Sequence, residues 1–322
     1  MTYSKSWQGR FVSGRATAPV LLGVSLLMWL VGIFLDAPAN DLSLFGFNIG
    51  NVVSRCITFA CFVLSAATMS SLYIFDRRIR WFLSLFLYMA SVSLFAHTCT
   101  GYALSLFLFL LVISRLFSCN QEDDCRYVIF SAFAVSGIAI LLFPQFIMLL
   151  PALALYVIMM KLAGWRELLA LMLGFFTPYW FLFGIDYIFP NVIGQSNLFM
   201  APLLYIASVT PFVYSLQNIM IIALGLLVLI PFVLLFMGAS TPAKPILRKR
   251  IQFFAWLNLY LIILSLLYSQ DFLFYYMLSL PALAVMLAYI FSLKVTRFSR
   301  FYFVLINLLL LAIAPLGLWL KQ

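Results

Sequence analysis

Apolar runs follow one another along almost the whole chain, and most are close to the roughly 17–25 residues a helix needs to cross a bilayer core. Eleven are marked: 18–35, 51–75, 81–97, 102–118, 127–143, 146–161, 168–189, 217–238, 251–268, 272–293 and 301–319. In hydrocarbon no water satisfies backbone N–H and C=O groups, so each run should close its own hydrogen bonds as a helix. The expected fold is an all-α, polytopic transmembrane bundle of about eleven spans, one integral membrane domain over residues 1–322. Composition agrees, at 66% hydrophobic and 9% charged. A soluble domain is nearer half apolar and a quarter charged, and could not hide this much hydrocarbon from water. A soluble enzyme, a nucleic-acid-binding domain and a disordered chain are thereby excluded.

The basic residues sit in the gaps, and they alternate. Lys5, Arg10 and Arg15 precede the first run; Arg77, Arg78 and Arg80 follow the second; Arg115 and Arg126 flank the gap after the fourth. Lys161 and Arg166 follow the sixth, Lys244, Arg248, Lys249 and Arg250 the eighth, and Lys294, Arg297 and Arg300 the tenth. Seventeen of the 19 Lys and Arg residues thus fall on one side, with Arg55 and Lys321 opposite. By the positive-inside rule the N-terminus is expected in the cytoplasm and the C-terminus outside it. Residues 201–216 are apolar too, but counting them as a span would carry Lys244 to Arg250 outside. Pro202 and Pro211 also argue against a continuous helix there. An interfacial or re-entrant segment is expected instead. The first run follows a basic leader and precedes Ala37-Pro38-Ala39, but it is longer than a signal-peptide core and reads as a retained span.

Few side chains offer chemistry. Asp36 and Asp41 follow the first run, on the side expected to face outward, and are candidate general bases or plain wetted carboxylates. Arg55 lies a few residues into the second run. Charge at that depth is costly, so Arg55 is either a partner for a phosphate or carboxylate, or an anchor that snorkels to the surface or pairs with Asp41. His97, the single histidine, heads a polar hairpin tip with Thr98, Cys99 and Thr100. It is either a proton shuttle or simply hydrated. Asp186 lies near the outward end of the seventh run. Cys119 and Cys125 flank a gap placed in the reducing cytoplasm, so no internal disulfide is expected. Two cysteines do not make a tetrahedral zinc site; no metal and no cofactor are expected. Trp29, Trp81, Trp165, Trp180 and Tyr302 fit interfacial aromatic belts.

Two stretches carry a resemblance. They are FGFNIGNVVSRCITFACFVLSAATMSSLYIFDRRIR and VSGIAILLFPQFIMLLPALALYVIMMKLAGWRELLALMLGFFTP, within roughly residues 46–178. Phe-Gly and then an Arg open the second span, a basic pair follows it, and a Leu-Pro-Ala-Leu run comes after a Pro at an outer turn. This layout resembles the GT-C superfamily of polyprenyl-phosphate-dependent sugar transferases, and also a family of uncharacterised bacterial polytopic inner-membrane proteins. The resemblance implies a bacterial inner-membrane protein of envelope biogenesis, acting on a lipid-linked sugar at the outer leaflet. It makes Asp41 or Asp36 the catalytic acid of the first outer loop, here the short DAPANDLSLFGFNIG, and places Arg55 on the donor phosphate. His97 and Asp186 would complete the substrate site. Membrane lipids are the expected partners, and no nucleic acid is. A non-catalytic membrane scaffold or accessory subunit is the alternative; a transporter or lipid flippase is the second.

Overall fold

The computed structural model describes residues 17–35, 43–44, 47–72, 81–93, 97, 100–119, 125–162, 164–188, 195–212, 215–238, 245–292, 301–310 and 312. Within these, helices carry the architecture. In chain order they are α1 (Thr17–Leu35), α2 (Ile49–Ser70), α3 (Trp81–Val92), α4 (Thr100–Ser118), α5 (Arg126–Leu142) and α6 (Leu150–Met159). Then come α7 (Trp165–Ile188), α8 (Gln195–Ala207), α9 (Leu216–Gly238), α10 (Pro245–Leu267), α11 (Phe272–Ser292) and α12 (Phe301–Leu310). Two 3-10 turns, Pro144–Leu149 and Ser269–Asp271, lead into α6 and α11. Before α2 two short strands, β1 (Ser43–Leu44) and β2 (Phe47–Asn48), pair antiparallel.

Among the described residues, five helical stretches are long and apolar enough to cross a membrane: Val52–Ser70, Thr100–Ser118, Trp165–Ile188, Ile246–Leu267 and Ser269–Phe291. The chain is a membrane protein on that ground, and its shorter apolar helices fall in the remaining runs. The bundle is built around α11, whose membrane-length stretch is 94% buried. Helices α3, α4, α9 and α10 pack on it. Helices α1 and α3, and α2 and α4, form neighbouring pairs on one flank. At the periphery α7 leans on α5 and is only 6% buried over its window, leaving most of its apolar surface for lipid.

Glycine sets the α5–α7 contact. A Cβ at Gly174 would collide with the Phe130 carbonyl, and one at Gly137 would lie 2.7 Å from the Phe175 carbonyl oxygen. Lipid offers helices no hydrophobic drive to associate, so close backbone approach through small residues supplies the contact. Pro231, inside α9, removes the N–H that would bond the Leu227 carbonyl four residues back. The Tyr302 hydroxyl of α12 donates to that carbonyl at 3.1 Å. Tyr302 is therefore buried packing rather than part of an interfacial belt. Trp29 is buried as well, while Trp165 and Trp180 are exposed.

The tract 201–216 divides. Its first part is the end of α8, which starts at Gln195 and accommodates Pro202 within the helix. At 1.5 Å per residue, α8 is roughly 20 Å long, short of the roughly 30 Å hydrocarbon core. Beyond Ala207 the backbone leaves the helix, and the Thr210 N–H donates to the Leu267 carbonyl at 3.1 Å. Tyr205 stacks on Tyr268 and shares a 2.9 Å hydrogen bond with the Tyr275 hydroxyl. Burial, then Tyr275 and Asp271 beside it, push the Tyr205 hydroxyl well above the usual tyrosine range.

One sequence expectation is corrected outright. Cys119 and Cys125 form a disulfide, with Cα atoms 5.6 Å apart. The end of α4 and the start of α5 bring both cysteines into the packed end of the bundle, within the usual span for a bridge.

Candidate functional site

The site is assembled where α1, α2, α3 and α4 meet. Arg55 lies in the second turn of α2, and Ser54 beside it shares a 2.7 Å hydrogen bond with Thr100, the first residue of α4. Thr58, one turn on, holds the same Thr100 hydroxyl at 3.0 Å. These contacts bring the N-terminal ends of α2 and α4 together around Arg55. Both ends carry the positive pole of a helix dipole.

His97 closes the site from the connection between α3 and α4. Its ring stacks on the Trp29 indole of α1, with centroids 3.6 Å apart and planes within 11°. Its Nε2 lies 3.0 Å from the Ser91 carbonyl oxygen. A carbonyl only accepts, so Nε2 carries the proton. In the neutral ring Nδ1 is then an acceptor, and it faces Arg55 Nη1 at 3.5 Å. The imidazole therefore accepts from the guanidinium and leaves the positive charge on Arg55. Below it Ser91 shares a hydrogen bond with Ser25 of α1, and Ser93 shares one with Tyr276 of α11 at 2.6 Å.

Burial removes two of the sequence alternatives, and pairing of Arg55 with Asp41 stays open beside the phosphate reading. Arg55 is 3% exposed and His97 is 0% exposed. Arg55 does not snorkel to water, and His97 is not a hydrated hairpin tip. A guanidinium beside two helix N-termini is suited to an oxyanion such as phosphate, which takes several N–H donors at once. Asp36 and Asp41, the expected catalytic acids, lie outside the described residues. Asp186 is buried on α7, and its Oδ1 has no hydrogen-bond partner. No hydrogen bond ties it to Arg55 or His97.

Sequence reasoning singled out Arg55 and His97 but missed their setting. By sequence, Trp29 reads as an interfacial residue. Ser54, Thr58 and Thr100 were signalled only as hydroxyls within apolar runs. Arg250 was also read for its charge alone. Its guanidinium donates to the Leu72 carbonyl at 3.2 Å and to the Phe117 carbonyl, and lies over the Phe117 ring. It thereby ties down the C-terminal ends of α2 and α4.

Comparison with models of protein families, with curated proteins and with solved structures gives no match.

Proposed function

We propose that this protein is a bacterial inner-membrane protein of envelope biogenesis that binds the phosphate of a lipid-linked sugar at the outer leaflet. In this reading it is a GT-C-like sugar transferase or a diverged relative. The observation that carries the reading is a guanidinium, Arg55, held almost fully out of water between two helix N-termini and a neutral imidazole. Removing a cation from water is costly, and a site that maintains one is most useful where an anion arrives. Arg55 takes the donor phosphate, and His97 holds the guanidinium's orientation. Asp41, or Asp36, acts as base on the acceptor hydroxyl.

The test is binding of a polyprenyl-phosphate sugar to the protein in nanodiscs. Charge-assisted hydrogen bonds are worth about 1.5–3 kcal/mol, so Arg55→Gln is expected to weaken binding about tenfold or more. Arg55→Lys should restore part of it, and Asp41→Asn should lower turnover with binding retained. Equal affinity in wild type and Arg55→Gln would refute the assignment.

One observation favours a scaffold or accessory subunit instead. Of the side-chain positions along α7, only Gly174 and Asp186 are buried, so nearly the whole of a membrane-length helix is offered to lipid or to a partner. Under that reading no lipid-linked sugar binds, and Asp186→Asn disrupts co-purification of an associated membrane protein.

A further inference from the structure

A second polar site lies deeper in the bundle, and the phosphate reading makes no use of it. Between α9, α10 and α11 there is a small cavity, about 20 Å³ as measured at the centre of a water molecule. That is room for one water and little more. Gly225, Asn258 and Ser279 line it from positions well inside their helices, so it lies near the middle of the bundle's depth.

Its chemistry is one-sided. Asn258 is 0% exposed, and its Nδ2 donates to the Gly225 carbonyl at 3.3 Å across the α9–α10 contact. Its Oδ1 is buried without a hydrogen-bond partner. Ser265 also lines the cavity, and donates its hydroxyl proton to the Ile262 carbonyl at 2.7 Å. Ser279 donates to the Tyr276 carbonyl at 2.7 Å. The hydrogens of both serines are committed to their own helices, which leaves lone pairs toward the space. Of these oxygens, Asn258 Oδ1 is the one left without a partner. Orphaned buried acceptors are rare because they lose water's hydrogen bonds and gain none in exchange.

We propose that this cavity binds a single small guest, a water molecule or an alkali cation such as sodium, anchored on Asn258 Oδ1 with the Ser279 hydroxyl in the lining. The lining carries no charged side chain. Desolvating a cation there would go uncompensated by a carboxylate, so water is the expected occupant.

The experiment is a high-resolution structure of the full chain in nanodiscs in sodium chloride, paired with thermal unfolding in sodium chloride and in N-methylglucamine chloride of equal ionic strength. A density peak within about 3 Å of Asn258 Oδ1 is expected. A melting temperature equal in the two salts identifies that peak as water. A sodium-dependent rise that disappears in Asn258→Leu identifies it as the cation. Ser279→Ala removes one acceptor without touching the Gly225 bond, and should reduce the peak. An empty cavity in the wild type would overturn the proposal. None of these readouts involves Arg55 or a lipid substrate, so this proposal and the phosphate reading fail separately.

Discussion

Arg250 illustrates how one side chain can serve two purposes that look identical in a sequence. As a charge in a basic gap it bears on the expected orientation; as a fork of donors it caps two helices at once. Helix ends leave carbonyls unpaired, and cations near C-termini also meet the negative pole of the dipole. Arg250→Gln is expected to cost about 1.5–3 kcal/mol, read as a lower midpoint of thermal unfolding in detergent. Arg250→Lys should recover only part, since an ammonium cannot fork between two carbonyls. A variant as stable as wild type would remove the capping role. Arg55 and His97 were legible for a related reason: a charge a few residues into an apolar run and a lone histidine are both conspicuous. Their meeting was not. His97 reaches Arg55 from 42 residues away, and Trp29 arrives on a third helix. An indole near the end of an apolar run reads the same whether it faces a headgroup or an imidazole.

Helices were the most legible level, because an apolar run in lipid has few alternatives to closing its own hydrogen bonds. What the runs do not encode is how two helices approach. Gly137 and Gly174 look like ordinary glycines in apolar sequence, yet they permit backbone contact between α5 and α7. The obstacle at Gly174 is the Phe130 main chain, which has no flexible end to move aside. Gly174→Ala is therefore expected to destabilise by about 1–3 kcal/mol through overpacking, and Gly23→Ala, where an added Cβ meets nothing within 4 Å, to be neutral. Comparable unfolding midpoints for the two would contradict this. The freed Leu227 carbonyl offers a second element-level check. Tyr302→Phe removes its donor and should cost about 1–3 kcal/mol, as a buried acceptor left alone does; an unchanged midpoint would show that another group caps it. The tract 201–216 was the least legible element. Its hydrophobicity is that of a span, but its helix ends at Ala207 and the next residues bind Leu267 and Tyr268 through the backbone.

The whole molecule poses a question that charge and sulfur answer differently. By the alternation of the gaps, the basic residues are expected on one rim, and Cys119 and Cys125 on that same rim. If the rim is cytoplasmic, cellular reductants are expected to open the Cys119–Cys125 disulfide that the structure forms. Alkylation in intact, acid-quenched cells is then expected to label both cysteines without added reductant. Labelling only after reduction would place the basic rim in an oxidising compartment. This bears on function, because Arg55 belongs to the opposite rim and its proposed ligand belongs to the outer leaflet. Sidedness is therefore what the account most depends on. A protease-cleavable tag attached after Gln322 tests it directly. In intact spheroplasts the tag should be removed by protease added outside; a tag cut only after the membrane is opened would reverse the orientation and turn the Arg55 site toward the cytoplasm.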